Sequence, residues 1–280
     1  MSAVRIILAL SLAVVLSFTL VGCDKGLPQD EIDRIIESAA NAQYDTVKLD
    51  MDMAMTIEII GGPQEGEVTM TGGGGGVMDM VNREMQMTMN MSMDIPEMGV
   101  QTIVSKVYLV GEWMYTGVEV PEIGEQWFKQ EALPGMWEQQ SQLEQQLAFL
   151  KTAVTVKSLP EQAVDGTDCY VFEVVPSVEA LGELLAQQAS NTGIDFSQFD
   201  LADLFEEMKV TEWIAKDSYQ ALKTEVYMRM QMQPEDVGAT GADFDEMIMD
   251  INMTMKSYDY DQPVSIDLPA EALDAPEMSY

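Results

Sequence analysis

Apolar and polar residues alternate along several long stretches of this chain. Residues 47–59 place Val, Leu, Met and Ile at the odd positions and charged, polar or small residues at the even positions. Residues 83–93 carry five methionines at alternate positions, and residues 245–257 repeat the pattern. A period of two is that of a β-strand with one buried and one solvated face. We therefore predict long antiparallel strands, each wet on one side.

The strand pattern extends over most of the chain. Residues 67–80 indicate a returning strand, which Gly72–Gly76 interrupt with a bend, a bulge or a flexible loop. Further strands are predicted at residues 101–118, 125–130, 152–159, 167–175, 209–217 and 220–234.

Helical spacing is confined to the beginning and the middle of the chain. Residues 28–42 place Ile32, Ile35, Ile36 and Ala39 on one face, with Asp30 positioned as the cap. Further helices are predicted at residues 136–150 and 177–188, and a looser one at 196–208. Runs of strands with segregated helices predict an α+β domain with a helix-covered sheet.

The first residues predict export from the cytoplasm. Arg5 precedes an apolar stretch from Ile6 to Val21, which is typical of a signal peptide. The ending "LVGC" resembles the lipobox of prokaryotic lipoproteins, in which the cysteine is lipidated and becomes the first mature residue. Cys23 is then the lipidated residue, and the alternative is an ordinary signal peptide with an accidental cysteine. We expect a signal peptide at residues 1–22, a lipidated tether at 23–29 and a single domain at 30–280.

Charge and composition exclude several function classes. The chain has 280 residues, with 48 acidic against 14 basic side chains and a net charge of −34, so it repels nucleic acid. That charge also disfavours a flat contact with anionic lipid, so we expect contact with the membrane through the anchor. The absence of histidine removes the usual catalytic triads and most zinc sites. We therefore predict no enzymatic activity and no cofactor, and a hydrolase or glycosidase is the remote alternative.

Cysteine offers little further chemistry. Once Cys23 is lipidated, Cys169 has no partner for an intramolecular disulfide. Cys169 lies in the apolar run "DCYVFEVV", which predicts a buried thiol rather than a reactive one.

The order of several weak motifs resembles that of a known family. "VYLVGEWMYTGV" with "QWFKQ" is similar to a strand pair ending in a Trp-containing hairpin, and "VDGTDCYVFEVVPS" to a Gly-then-Tyr strand before a helical insert. "VTEWIAKDSYQALKTEVYMRM" and "SYDYDQPVSIDLPAEA" are similar to the later strand pair and the closing segment. Together with the lipobox, these motifs resemble the LppX/LprG-type lipoproteins, whose fold is similar to the lipoprotein carriers LolA and LolB.

That resemblance implies a particular architecture. It implies a strongly curved antiparallel sheet, an unclosed half-barrel, with helices covering its concave face. Characterised members carry lipid, or the acyl chains of lipoproteins, in the cavity between sheet and helices. This chain departs from the family pattern in its methionine ladders and in Gln262, where asparagine is commoner.

The 24 methionines allow three interpretations. They fill an ordinary core, they line an adaptable apolar cavity, or their thioethers bind Cu(I). The family resemblance favours a cavity, whose candidate lining residues are Met51, Met53, Met55, Met85, Met87, Met89, Met91, Met228, Met230, Met249 and Met253.

We accordingly expect a monomeric lipoprotein, anchored in the membrane on its extracytoplasmic face, that binds a lipid or another apolar ligand. The alternative is a structural envelope lipoprotein with a filled core and no ligand.

Overall fold

A computed structural model describes residues 26–63, 65–95, 99–121, 123–132, 137, 155–176, 204–234 and 244–278. Within these ranges the chain forms eleven strands and two helices. In chain order they are α1 (Gln29–Ala40), β1 (Thr46–Ile60), β2 (Gly66–Asp79), β3 (Glu84–Ile95), β4 (Gly99–Val110), β5 (Trp113–Val120), β6 (Gly124–Glu131), β7 (Thr155–Val164), β8 (Thr167–Val175), β9 (Phe205–Ala215), β10 (Ala221–Met232), β11 (Glu246–Tyr258) and α2 (Ala270–Leu273).

All eleven strands form one antiparallel sheet, in the order β6-β5-β4-β3-β2-β1-β11-β10-β9-β8-β7. The chain builds it as two meanders. Strands β1 to β6 run outward to one edge, and β7 to β11 return from the other edge until β11 pairs with β1 at the centre. Because β6 and β7 are the two edges and do not pair, the sheet is unclosed, and that prediction is confirmed.

Helix α1 forms where the apolar spacing predicts a helix, and its four predicted apolar residues are buried. They pack against Phe172, Val174, Val210 and Ile214. We call the face of the sheet that α1 covers the inner face, and the opposite side the outer face. The cap prediction was wrong, because Pro28 precedes the first turn and Asp30 lies inside it. A proline in that place has no N–H to satisfy and a φ angle suited to helix entry.

Two other predictions need correction or lie outside the described residues. Gly72–Gly76 do not interrupt a strand, because β2 runs through them and pairs continuously with β1 and β3. The end of the loose helix predicted at 196–208 is instead strand, since β9 begins at Phe205 and pairs with β10. The predicted helices at 136–150, apart from Trp137, and at 177–188 lie outside the described residues.

The glycines of β2 allow an unusually close approach of backbones. A Cβ on Gly74 would overlap the carbonyl oxygen of Thr88 and lie 2.8 Å from the sulfur of Met89. A Cβ on Gly76 would lie 2.6 Å from the carbonyl oxygen of Gln86. No other residue lacks a Cβ, so β2 and β3 can meet in this geometry only with glycine.

The two edges of the sheet are protected differently. At β6, the C-terminal segment adds a short parallel contact, in which Lys129 N–H donates to the Pro276 carbonyl at 3.0 Å and Met278 N–H donates to the Lys129 carbonyl at 2.9 Å. At β7, the register shifts between Leu159 and Gln162, next to Pro160. Irregularity and proline at an edge oppose pairing with another chain.

The glycine geometry gives a sharp prediction. Gly74→Ala places a methyl group against the backbone of β3, and we expect it to lower the free energy of unfolding by about 2 kcal/mol or more. Gly73→Ala is the matched control on the other face, where the new Cβ would meet the side chain of Asp52 at 3.2 Å. It should be within about 1 kcal/mol of wild type, because the flexible carboxylate can move and alanine restricts the unfolded chain. Urea denaturation measures both, and equal losses would contradict this packing.

Candidate functional site

The inner face is assembled by strand register. Met53 of β1 pairs with Met253 of β11, which pairs with Val226 of β10. On its other side Met53 pairs with Gly72 of β2, which pairs with Met91 of β3. Directly paired residues point to the same side of a sheet. Each row of pairs therefore continues as one line of side chains across β10, β11, β1, β2 and β3.

All the predicted methionines share this face. In the next rows Met55 pairs with Ile251 and Met51 with Met255, so the alternation keeps every row apolar. The register brings onto the inner face Met51, Met53, Met55, Met85, Met87, Met89, Met91, Met228, Met230, Met249 and Met253.

Some inner-face methionines were missed by the sequence analysis. Met70 pairs with Met55 and Met93, and Met208 pairs with Met228. Met70 is in phase with the alternation of its own strand, so the signal was present, and Met93 belongs to the five-methionine pattern of residues 83–93. Met208 was hidden by the helical interpretation of residues 196–208.

Burial is uneven along the inner face. Where β1 begins, Val47, Leu49, Met78, Met85 and Leu109 form a buried cluster, with Trp137 packed against it. Farther along the strands the side chains are half-buried, among them Met53, Met55, Met87, Met89, Met91, Met228 and Met253. One end of the inner face is thus closed core, and the remainder is an incompletely covered apolar surface. We call this remainder the methionine face.

Helix α1 closes the side of the inner face nearest β8 to β10. Ile35 is fully buried there, and the partly buried side chains of Met208 and Val226 pack against the same cluster. Val226 pairs with Met253, which belongs to the first half-buried row of the methionine face. The helix therefore lies directly beside that face.

A carboxyl group is buried on the inner face. Glu212 lies in β9 between Val210 and Ile214, and its residue is 2% exposed. Thr224 Oγ1 donates a hydrogen bond of 2.9 Å to Glu212 Oε2. Loss of hydration raises the pKa of Glu212 to about 8, against the opposing effect of the Thr224 hydrogen bond. The side chain is therefore mainly neutral at pH 7, as burial among apolar groups requires.

Glu212 was not singled out from the sequence. The signal was its phase, because it alternates with Val210 and Ile214 in a strand whose other face carries Thr211. A charged residue in an apolar phase is a candidate buried acid.

Over β1, β3, β10 and β11 the outer face is polar and rich in ion pairs. Arg229 donates to Glu206 at 2.8 Å and to Asp250 at 2.6 Å, and these carboxylates raise its pKa above the ordinary value. Asp52 and Asn90, which alternate with the inner methionines, are exposed. This division confirms that these four strands are wet on one side.

Other parts of the outer face are buried. Val171 of β8 and Trp213 of β9 form a buried cluster on it, and Tyr108 of β4 and Trp127 of β6 form another with Ala272 of α2. The prediction of one wet side is therefore wrong for these parts of the sheet.

Cys169 is fully buried on the outer side of β8, beside Val171 and Trp213. Burial raises the pKa of its thiol, and the prediction that Cys169 is buried is confirmed.

The described part of the chain offers no group of three or more Cys, Asp or Glu side chains arranged to hold a metal ion. Within the same residues, no helix combines the length and the apolar character needed to cross a membrane.

An eleven-stranded, unclosed antiparallel sheet with one methionine-rich face defines the structural class. The chain belongs to the DUF6612 family, described as a family of unknown function, whose model matches residues 31–277. No curated protein matches the chain.

Several solved structures are similar to this one. Lipoprotein LppX of Mycobacterium tuberculosis is 10% identical with a TM-score of 0.41, over 86% of this chain and 100% of that one. LprF of Mycobacterium bovis is 11% identical with a TM-score of 0.45, over 88% and 100%. A DUF1329 family protein of Desulfovibrio piger is 10% identical with a TM-score of 0.25, over 84% and 95%.

The raised pKa of Glu212 predicts a pH dependence of stability. Between the unfolded pKa of 4.5 and the folded pKa of about 8, the folded state holds a proton that the unfolded state has released. The free energy of unfolding should therefore fall as pH rises through this window. Glu212→Gln stays neutral, so its stability relative to wild type should rise from pH 4 to pH 8, by of the order of a few kcal/mol.

Glu225→Gln is the matched control, because Glu225 lies on the outer face of the neighbouring strand, where it forms an ion pair with Lys223 and its side chain is 45% exposed. Denaturation midpoints at pH 4, 6 and 8 measure the effect. A Glu212→Gln difference that stays constant with pH would show that the carboxyl is already ionised in the folded state.

Proposed function

We propose that this protein is a lipid-anchored extracytoplasmic lipoprotein that binds a lipid or another apolar ligand on its methionine face. The observation that carries the proposal is the half-buried state of that face, which continues a closed core across five strands. An incompletely covered apolar surface of this extent marks a site of interaction.

The residue types suit a ligand with flexible chains. Methionine is unbranched and polarisable, so neighbouring side chains can re-pack around ligands of different shape. Gly72, Gly74 and Gly76 occupy the middle of the same face and add no side chains. Methionines lie over these glycines, since a Cβ on Gly72 would be 3.6 Å from Met91 Cγ and 3.7 Å from Met53 Cε. The face thus consists of flexible side chains over a stretch of β2 that has none of its own.

We further propose that the chain between the two edge strands covers the methionine face. The chain between Glu131 and Thr155 joins the two edge strands, and Trp137 within it packs against the buried cluster of Leu49 and Met85. This contact lies on the inner face and supports the expectation that helices cover that face.

The alternative is a structural lipoprotein without a ligand. The closed end of the inner face, around Val47 and Met85, fits that alternative, whereas the half-buried rows favour a ligand. Cu(I) binding needs three or four converging sulfurs, whereas these methionines run along whole strands.

Anchoring should depend on the sulfur of Cys23. We expect Cys23→Ser to yield a soluble secreted protein or an uncleaved precursor, because the residue that receives the lipid is lost. Cell fractionation and the mass of the product measure this. A normally cleaved mutant that stays in the membrane would contradict the anchor.

Filling the methionine face should abolish binding. Replacing Met87, Met89 and Met91 together by Phe adds rigid rings beside the glycines. We expect wild type to bind fluorescent fatty-acyl probes, with little dependence on chain saturation, and the triple variant to bind none.

The matched control replaces Thr88 and Asn90 by Phe on the outer face of the same strand. It should bind like wild type. Thermal unfolding shows whether the three Phe side chains fill a free space or disrupt the packing of the protein. A triple variant much less stable than wild type would mean that the face is a tightly packed core with no free volume. Tight Cu(I) uptake by wild type without probe binding would replace this proposal.

A further inference from the structure

The described chain begins against an edge of the sheet. Gly26 lies so near β7 that a Cβ on it would be 3.5 Å from the Cβ and the carbonyl oxygen of Ser158. Leu27 packs onto the cluster of α1. With Leu159 and Tyr170, these residues line a small surface cavity of about 90 Å³. The start of the domain is therefore held at β7.

The length of the tether limits how far β7 can be from the anchor. Cys23 precedes Gly26 by three residues. Three residues of fully extended chain span at most about 11 Å. A lipidated Cys23 lies at the bilayer surface, so the attachment point on β7 must lie within that distance of the headgroups.

From this geometry we infer that the edge formed by β7 and the start of α1 faces the membrane, with the headgroup region of the bilayer as its partner. The inference rests on the lipidation of Cys23 in the proposed function. It adds an orientation, in which β2 and β3 lie farther from the bilayer than β7 does.

The charges near this edge are mixed, because the first turn of α1 carries Asp30 and Glu31 while β7 carries Lys157 and Glu161. Lys157, Lys209, Lys223 and Lys256 belong to the outer faces of β7, β9, β10 and β11. Three of them balance carboxylates in ion pairs, Lys209 with Glu207, Lys223 with Glu225 and Lys256 with Asp165. These ion pairs lower the net charge of the outer face, whereas the first turn of α1 adds negative charge, so the contact depends on the short tether and not on attraction between charges.

The orientation has a consequence for ligand transfer. Helix α1 follows the tether directly and covers the inner face over β8 to β10, beside the first row of the methionine face. A ligand leaving the bilayer would therefore meet α1 before it reached the methionines. The helix is thus the element placed to control entry.

Fluorophore quenching on vesicles tests the orientation. Lys157→Cys on β7 and Asn90→Cys on β3 are both exposed outer-face positions and lie seven strands apart, about 34 Å along the sheet. The full-length lipidated variants, each carrying a thiol-reactive fluorophore, are reconstituted into phosphatidylcholine–phosphatidylglycerol vesicles with nitroxide-labelled headgroups. Wild type, in which Cys169 is buried, supplies the labelling baseline. Because the tether spans only about 11 Å, quenching at position 157 should exceed that at position 90 by about twofold or more.

A longer tether is the control. Inserting about twelve Gly and Ser residues after Lys25 adds about 20 Å of root-mean-square reach. Quenching at position 157 should then fall to the level of position 90. Equal quenching at both positions in protein that floats with the vesicles overturns the orientation alone, as does quenching unchanged by the longer tether. Protein that does not float overturns the anchor and the orientation together.

Discussion

The inner face depends on the pairing of β1 with β11. This pairing joins the two meanders and runs without a register shift from Lys48 opposite Tyr258 to Ile60 opposite Glu246. Because side chains alternate, a slip of one residue would turn Asp50 and Asp52 toward the core and the methionines toward water. The aligned rows, the closed core and the wet outer face all follow from this single register.

Methionine and glycine together make the face adaptable, at a cost in stability. Glycine within a strand loses more entropy on folding than alanine, and flexible methionines specify packing poorly. Two rigid regions compensate for these losses. They are the cluster around Val47 and Leu49 at one end of β1, and the cluster of α1 with Phe172 and Ile214. The methionine face lies between these two well-packed clusters. Such a departure from ideal packing is expected at a functional surface.

The sequence predicted those parts of the fold that local pattern determines. Strands β1, β3 and β11 follow from alternation, β8 follows from a short apolar run, and α1 follows from the spacing of its apolar residues. Gly72–Gly76 were misread because glycine usually weakens a strand, and only the neighbouring strands reveal the close approach that requires it. Phe205 to Met208 were misread because leucine, phenylalanine and methionine at that spacing also suit a helix, and pairing with β10 decided otherwise.

The sequence likewise predicted one part of the candidate site and missed another. The methionines of the inner face follow from phase within each strand, because burial of one side fixes which residues point together. The hydrogen-bond partner of Glu212 could not be predicted from the sequence, because Thr224 lies opposite Glu212 only in the register of β9 with β10. The glycines beside Met89 and Met91 are likewise a product of pairing between strands.

Native mass spectrometry of the protein, purified from its membrane without detergent after proteolytic release of the anchor, tests the central claim most directly. The account predicts a population with additional mass that corresponds to one bound lipid, and loss of that mass when Met87, Met89 and Met91 are replaced by Phe. A single ligand-free mass for a folded wild-type protein, unchanged after incubation with lipid, would contradict it.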